Sequence, residues 1–290
     1  MPDPKVSVVI PSYNSAHCVG DAIQSIIDQT YANWEVVEVD DGSADDTEAA
    51  VQRFRADPRI RYIRQENRGL PGARNAGARA ATGDYLAFLD ADDLLERRAL
   101  ELMVGAAISH NAQWCICNVV LRRNGVDEIV QTRLPDDAFR HLLAHDFIAR
   151  APFFRRDAFN AIGMYDELML AREDWDINIR AMEHGLPFIL EETPLYIYQV
   201  APTGISRNSR KMLTYTERIL NKHHRRLAAH DPQVRRILAD SFWDLARRWL
   251  YQVRDYRRAF VCAAKSIMWD RSPVRLIRAL GFLSVARSRQ

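Results

Sequence analysis

The stretch of sequence that decides the fold reads Tyr85-Leu86-Ala87-Phe88-Leu89-Asp90-Ala91-Asp92-Asp93. A nearly unbroken apolar and aromatic run is followed at once by three carboxylates. A buried strand with this ending delivers Asp90 and Asp92 to its carboxyl end, where open α/β sheets bind their ligands. Oxygen ligands suit a hard cation such as Mg²⁺ or Mn²⁺, which is typically shared with substrate phosphates. The alternative is a solvated acidic turn in which Asp93 caps the next helix.

Strand and helix patterns alternate on both sides of this stretch. Strand-like runs cover Val6–Ile10, Trp34–Val39, Ile60–Ile63, Tyr85–Leu89 and Trp114–Leu121, and Pro11 is expected to end the first. Helical spacing covers 19–29, 45–55, 73–81 and 96–109, and residues 69–72 read as a glycine- and proline-marked loop. This alternation predicts an α/β fold with a mostly parallel sheet flanked by helices. Further along, 122–125 reads as a hairpin turn, 173–185 as a helix and 195–200 as a strand.

The composition of the 290 residues is that of an ordinary globular protein with a sizeable core. No window contains 18 consecutive apolar residues, and the N-terminus leads into a strand without an apolar leader. The four cysteines have neither a metal-binding spacing nor a disulfide framework. We therefore expect a cytoplasmic protein.

The net charge of +2 conceals a strong asymmetry between two regions. Residues 205–290 carry 20 Lys and Arg against 6 Asp and Glu, a balance of +14, and the rest of the chain carries −12. We predict a boundary near residue 205, with 1–205 as an α/β domain and 206–290 as a basic helical C-terminal region. Its helices are expected near 209–229, 232–253, 255–268 and 273–287, with the pair His223-His224 solvated.

The basic tail has two interpretations that the sequence leaves open. A basic amphipathic helix can lie on an anionic membrane surface, and the C-terminal 273–287 segment has an apolar stripe beside arginines. Alternatively, the helices pack as an appendage whose arginines are simply hydrated. No nucleic-acid recognition motif accompanies the charge, so no nucleic-acid partner is expected.

Five motifs in order along residues 5–207 resemble those of family 2 glycosyltransferases with a GT-A type fold. They read Val8-Val9-Ile10-Pro11-Ser12-Tyr13-Asn14, Val39-Asp40-Asp41-Gly42-Ser43, Asn67-Arg68-Gly69-Leu70 with Ala73-Arg74-Asn75-Ala76-Gly77, Phe88-Leu89-Asp90-Ala91-Asp92-Asp93, and Arg172-Glu173-Asp174. The resemblance implies an inverting enzyme that moves a sugar from a nucleotide donor, most plausibly a UDP-sugar, to a hydroxyl of a glycan or lipid-linked acceptor. The basic tail then becomes a C-terminal helical extension of a nucleotide-sugar-binding catalytic domain.

The resemblance also assigns roles to the donor-binding residues. Asp41 would accept the imide N–H of the pyrimidine base, and Pro11, Ser12 and Tyr13 would line the base pocket. Arg74 and Asn75, at the entry to a helix, suit a diphosphate or sugar hydroxyls. For the aspartate, the alternative role is turn formation, and for the arginine it is an exposed solubilising position.

The resemblance also assigns the metal ligand and the general base to residues of the acidic motifs. Asp90 would contact the ribose or a metal-bound water, and Asp92 would bind Mn²⁺ or Mg²⁺ that bridges the diphosphate. Asp174 would be the general base that accepts the proton of the acceptor hydroxyl. The alternative for Glu173 and Asp174 is an acidic first turn that complements the helix dipole.

One departure from the family pattern concerns the metal. The family often has a histidine after the strand that follows the base helix, whereas residues 198–207 contain none. Water would then replace this ligand, or the position would have no ligand. Arg207 is expected to close over the diphosphate.

Other classes of protein are less consistent with the sequence. A non-catalytic nucleotide-sugar-binding scaffold of the same fold is the main alternative, and the intact Asp90, Asp92 and Asp174 argue against it. A nucleotidyltransferase would have a glycine-rich basic loop after the first strand, and a dehydrogenase would have Gly-x-Gly-x-x-Gly there; neither pattern is present.

Overall fold

The structure is a computed structural model that describes residues 3–148, 153–200 and 207–272. The chain divides into two compact units. The first comprises residues 1–134 and 147–202, and the second comprises 135–146 and 203–290. Among the described helices, none combines the length and apolarity needed to cross a membrane.

Within the described residues, nine strands form one sheet in the first unit. They are β1 (Val6–Ser12), β2 (Trp34–Asp40), β3 (Ile60–Arg64), β4 (Tyr85–Phe88), β5 (Leu94–Leu95), β6 (Trp114–Arg123), β7 (Val126–Val130), β8 (Phe153–Arg155) and β9 (Phe188–Gln199). The order is β3-β2-β1-β4-β8-β6-β9-β5, with β7 paired to β6. The strands from β3 to β4 are parallel, as the βα alternation predicts, and β8, β5 and β7 add antiparallel pairs.

Helices cover the sheet. In the first unit they are α1 (Val19–Ile27), α2 (Thr47–Gln52), α3 (Gly69–Ala80), α4 (Ala99–Ser109), α6 (Arg156–Ala161) and α7 (Glu173–Glu183). Helix α3 lies so close to the strands that a Cβ at Gly77 would meet Cγ1 of Val9 at 2.3 Å. This close approach, which only glycine permits, brings the middle of α3 near the strand ends where the acidic residues lie.

The second unit is helical. It contains α5 (Ala138–Ala144), α8 (Ser209–Ile219), α9 (Arg225–Leu227), α10 (Pro232–Arg248) and α11 (Tyr256–Trp269), with π-helical turns at Leu220–His224 and Trp249–Val253. Three of the four predicted tail helices are therefore present, and the predicted helix at 273–287 lies outside the described residues. The prediction that His223 and His224 are solvated is wrong, since both are buried. The ring of His224 bonds the carbonyl of Leu143, on a helix that no tail periodicity could reveal.

Several element boundaries differ from the sequence prediction. α3 begins at Gly69, inside the predicted loop at 69–72. β1 continues through Pro11 to Ser12, because β4 has already ended beside Val9 and no neighbour there requires the missing N–H. α4 begins at Ala99, so Asp93 does not cap it. β9 begins at Phe188, well before the predicted start at 195, because its first half pairs with β6.

Candidate active site

Parallel strands end at one edge of the sheet, and their last residues define the candidate site. Ser12 at the end of β1 lies opposite Asp40 at the end of β2, and β4 ends two residues before Asp90. The backbone N–H of Asp41 donates to the carbonyl of Ser12 at 2.9 Å. The topology thus brings Asp41 and Asp90 to the same edge, as expected for parallel neighbours.

The carboxylate of Asp41 is buried and holds the loop that leads into α3. Its Oδ1 accepts from Gln65 Nε2 (2.6 Å) and the N–H of Arg68 (2.9 Å), and its Oδ2 accepts from the N–H of Gly69 (2.8 Å). A carboxylate offers about four acceptor positions. These contacts leave one position on Oδ2 for another donor, such as the imide N–H of a base.

The end of β1 contributes side chains of different accessibility. Pro11 is buried, whereas Tyr13 is 54% exposed. The buried hydroxyl of Ser12 donates to Oε1 of Glu38, which has no solvent exposure. Burial raises the pKa of Glu38 to about 8, and the charge of Asp40 adds to this rise, although the hydrogen bond from Ser12 opposes it. Ser12 therefore has only its backbone to offer a ligand, and Tyr13 has its ring.

The acidic turn after β4 is a candidate cation site. Ligand atoms of Asp90, Asp92 and Asp93 lie within 4.8 Å of one another. Asp93 is buried and accepts from the Tyr196 hydroxyl (2.7 Å) and the N–H of Gln199 (2.9 Å), so β9 fixes its position. Asp92 is exposed and its carbonyl accepts from the Gln199 amide at 2.8 Å. This all-carboxylate donor set fits a hard divalent cation, with Asp92 accessible to a ligand.

Arg74 links two acidic segments. One is the turn at Asp90–Asp93, named the cation turn, and the other is Arg172-Glu173-Asp174, named the base motif. The guanidinium of Arg74, on a side chain only 4% exposed, contacts Asp90 at 2.6 Å and both Glu173 and Asp174 at 2.9 Å. It also lies 5.1 Å from the centre of the Tyr165 ring. Burial by itself would lower the pKa of Arg74, but Asp174 and Asp90 raise it well above its ordinary value. The alternative interpretation from sequence, an exposed solubilising arginine, is therefore wrong. Arg74 is buried and contacts three carboxylates.

Glu173 and Asp174 open α7 and differ in accessibility. The side chain of Glu173 is 10% exposed and that of Asp174 is 24% exposed. Burial raises the pKa of Glu173 to about 7, and the adjacent Asp174 adds to this rise, while Arg74 opposes it. Tyr165 donates to Asp174 at 3.4 Å. Asp174 is thus the more accessible of the two acids.

Asn75 holds the loop that precedes α7. Its amide donates to the carbonyl of Tyr165 (2.8 Å) and accepts from the N–H of Tyr165 (3.0 Å). Glu167 of the same loop contacts Arg68 at 2.6 Å and Arg79 at 3.3 Å. Asn75 therefore fixes the loop that precedes Glu173 and Asp174, and its donor and acceptor are both engaged there.

Arg207 is exposed and belongs to the second unit. Residues 201–206, where the family's metal-binding histidine would stand, lie outside the described residues. The predicted approach of Arg207 to the diphosphate stays a prediction.

Three residues of the site were not anticipated from sequence: Glu38, Tyr165 and Tyr196. The ion pair between Glu173 and Arg74 was not anticipated either. Glu38 had a signal, because a glutamate in the middle of an apolar strand is unusual. Tyr165 and Tyr196 had none: Tyr196 lies 103 residues from Asp93, and the ring of Tyr165 faces Arg74 from a distant part of the chain.

Comparison with known proteins shows which family the chain belongs to. A family model described as glycosyl transferase family 2 matches residues 7–166, more than half of the chain. The chain belongs to glycosyl transferase family 2. The matched range ends just before the base motif and includes the acidic turn, Arg74 and Asn75.

Two curated relatives illustrate the family. The Escherichia coli UDP-Glc:alpha-D-GlcNAc-diphosphoundecaprenol beta-1,3-glucosyltransferase WfgD is 38% identical over 125 residues, which is 43% of this chain and 49% of that protein. The succinoglycan biosynthesis protein ExoO of Rhizobium meliloti (strain 1021) is 35% identical over 220 residues, 70% of this chain and 63% of its own length. This family 2 chain thus covers less than two thirds of either relative.

Solved structures share the fold. S. aureus TarS 1–349 in complex with UDP-GlcNAc has a TM-score of 0.70 and 17% identity, over 91% of this chain and 81% of that one. The mannosyltransferase PcManGT from Pyrobaculum calidifontis, in complex with GDP-Man and Mn²⁺, has a TM-score of 0.59 and 21% identity over 98% and 80%. At these identities the likeness establishes the fold, and the predicted GT-A type architecture is confirmed.

Proposed function

We propose that this chain is an inverting, metal-assisted glycosyltransferase that moves a sugar from a UDP-sugar to a hydroxyl of a glycan or lipid-linked acceptor. The observation that carries the proposal is the Arg74 connection, because one guanidinium holds an acid of the cation turn and the candidate base side by side. Names of relatives point the same way, since WfgD uses UDP-Glc and a diphosphoundecaprenol-linked acceptor.

The donor nucleotide would bind along the strand edge. Asp41, with one acceptor position left on Oδ2, would receive the base imide, and the Tyr13 ring and the backbone of Pro11 and Ser12 would line the base pocket. Asp90 would contact the ribose. Arg207 is proposed to contact the diphosphate.

Asp92 would hold Mn²⁺ or Mg²⁺, and the bound ion would neutralise charge on the departing nucleoside diphosphate. Support comes from the oxygen-only donor set and from the exposure of Asp92 beside the buried Asp93. Tyr196 and Gln199 keep Asp93 in place, so the turn is preorganised.

Asp174 would act as the general base. As the acceptor hydroxyl attacks the anomeric carbon, its oxygen forms the new glycosidic bond, the bond to the diphosphate breaks, and the hydroxyl proton passes to an Asp174 oxygen. Glu173 is more buried and shares Arg74 with Asp174, so we propose that it positions the arginine. Asn75 would contribute by holding the Tyr165 loop.

A catalytic region within residues 1–205 and a basic region at 206–290 remain our proposed division, with the second contacting an anionic membrane surface. Support for the membrane contact is the balance of +14 over residues 205–290. The alternative proposal is a scaffold that binds a nucleotide sugar without turnover.

The test is a thermal-shift panel of UDP-sugars and GDP-mannose with Mn²⁺. We expect one nucleotide class to raise the melting temperature of the wild type by about 3 °C or more, because a ligand that binds only the folded state stabilises it. Asp92→Ala should lose this shift, and Asp28→Ala, an exposed acid at the end of α1, should keep it. An equal shift in Asp92→Ala, or no shift in any protein, would refute the proposed donor site.

A further inference from the structure

The outward face of α11 carries a row of large apolar side chains. Phe260 is 54% exposed, Val261 42% and Met268 60%. With the exposed Arg257 and Ala264 they recur every three or four residues, which places them on one side of the helix. We call this set the α11 face. Single exposed apolar residues are ordinary, whereas a contiguous row marks an interaction surface.

The opposite side of α11 explains why this row is not hidden. Ser266 donates to the carbonyl of Ala239 at 2.7 Å, so α11 meets α10 through small residues. Two long cations of α11 are used inside the bundle: Lys265 pairs with Glu217 at 2.7 Å, and Arg258 lies over the Trp249 ring at 4.7 Å. The helix therefore turns small and charged residues inward and large apolar ones outward, the reverse of a helix that packs only on its own bundle.

The exposed charge between residues 251 and 272 has one sign. Every exposed residue between 251 and 272, a range that the structure describes without a gap, is apolar, cationic or an amide: Tyr251, Gln252, Arg254, Arg257, Phe260, Val261, Ala264, Met268 and Arg271. The acids in this range are partly buried, and Asp255 pairs with Arg210 at 2.9 Å. The complement of such a surface is apolar at its centre and anionic at its margins.

A phospholipid bilayer meets this description better than a second copy of the chain. A two-fold interface must be self-complementary. Two α11 faces brought together would set Arg254, Arg257 and Arg271 against each other with no exposed carboxylate in the range to offset them. Anionic headgroups instead accept the guanidinium groups, while the aromatic and methionine side chains reach the acyl boundary.

We infer that the α11 face docks on an anionic phospholipid bilayer. The inference rests on the proposed function in that a lipid-linked acceptor is presented at a membrane, and it deepens that function by naming the docking surface. Phe260, Val261 and Met268 enter the interface between headgroups and acyl chains, and Arg254 and Arg257 bind lipid phosphates.

The test is co-sedimentation of the full chain with phosphatidylcholine vesicles that contain or lack phosphatidylglycerol. We expect the wild type to pellet with the anionic vesicles and much less with the zwitterionic ones. Phe260→Ser/Met268→Ser should lower the partition coefficient by roughly tenfold or more, because two large side chains leave the apolar boundary. The control, Ile108→Ser/Ile129→Ser, removes two side chains of similar exposure (57% and 58%) from the first unit and should pellet like the wild type.

Equal pelleting of Phe260→Ser/Met268→Ser and wild type would overturn the inference and move any membrane contact elsewhere in the chain. A wild-type dimer in sedimentation velocity that this variant converts to a monomer would assign the face to a second copy instead. Vesicle binding needs neither donor nor acceptor, so its failure is distinguishable from failure of the donor thermal shift.

Discussion

Arg74 is the residue on which the geometry of the site depends most. Three carboxylates, each 24% exposed or less, surround its guanidinium. The positive charge offsets the repulsion among these carboxylates, which would otherwise separate α7 from the cation turn. A guanidinium can serve partners on two sides at once because its donors form a rigid planar fork. The sequence predicted Arg74 at the start of a helix, whereas α3 already begins at Gly69. The sequence also could not show what Arg74 contacts.

Arg74→Lys should keep the positive charge at this position but lose the planar set of donors that contacts several carboxylates at once. A single ammonium cannot reach Asp90 and Asp174 together in the same way, so we expect transfer activity to fall about 100-fold. The control is Arg79→Lys on the same helix, whose side chain is 52% exposed and which should stay near wild-type activity. Steady-state kinetics measure both, and near-normal activity of Arg74→Lys would contradict the positioning role.

Glu38 gives the folded state a specific pH dependence. Its pKa is raised from 4.5 to about 8, so the folded chain holds this proton more tightly than the unfolded chain. The associated stability is complete below pH 4.5 and is lost as pH rises through 8. Glu38→Gln has no proton to lose at this position, so its stability does not fall in this way as the pH rises. We expect the melting temperature of the variant, relative to that of the wild type, to increase by about 5 °C from pH 5.5 to pH 8.5.

Glu35→Gln, on the same strand, is the matched control for this pH effect. Burial would raise the pKa of Glu35, but hydrogen bonds from Ser7, Thr82 and Lys5 lower it to about 2. Its stabilisation is present above pH 4.5 and is lost only as pH falls towards 2. The variant should therefore be less stable than wild type by an amount that is constant between pH 5.5 and 8.5. A constant difference for Glu38→Gln as well would contradict the assignment of a buried proton.

At the scale of elements, β9 determines the shape of the cation turn. The Tyr196 hydroxyl donates to Asp93 at 2.7 Å and accepts from the N–H of Asp90 at 3.3 Å. A strand 100 residues further along the chain thus holds the turn that follows β4.

Tyr196→Phe should weaken cation binding although Asp90, Asp92 and Asp93 are unchanged. Loss of one donor to the buried Asp93 is worth about 1–3 kcal/mol, so we expect Mn²⁺ affinity, titrated with UDP present, to fall about tenfold or more. Tyr251→Phe removes a hydroxyl from a residue that is 53% exposed and should titrate like wild type. Unchanged Mn²⁺ affinity in Tyr196→Phe would show that β9 does not organise the turn.

The elements also show what sequence can and cannot predict. The repeats that contain β1, β2, β3, β4 and β6 follow from local patterns and appear in the structure. So does the turn at Asn124-Gly125, where both residues have positive φ. β8 has three residues and β5 has two, too short for any periodicity. Asn75 and Tyr165 meet across 90 residues, and nothing local in either sequence marks the other.

At the scale of the whole molecule, α5 stands between two segments of the first unit in the sequence but belongs to the second unit. Leu142 and Leu143 of α5 have no solvent exposure, and Arg140 pairs with Asp231 at 2.8 Å. This ion pair and the hydrogen bond between the His224 ring and the Leu143 carbonyl are both made within the second unit. The charge asymmetry indicated two regions but could not reveal this returning segment.

A chain cut after residue 205 should therefore expose the apolar side of α5. We expect this truncated chain to aggregate in size-exclusion chromatography, and Leu142→Ser/Leu143→Ser in the same truncation to shift it towards a monomer. A monomeric truncated chain with unchanged α5 would contradict the packing of α5 with the second unit.

The most direct test of the account is donor turnover measured as release of nucleoside diphosphate, with Mn²⁺ or EDTA. For Asp174→Asn we predict normal donor binding and turnover lowered by about 10²–10⁴, because only proton acceptance is lost. For Asp92→Ala we predict loss of donor binding itself. Wild-type turnover in Asp174→Asn, or Mn²⁺-independent turnover in Asp92→Ala, would contradict the account.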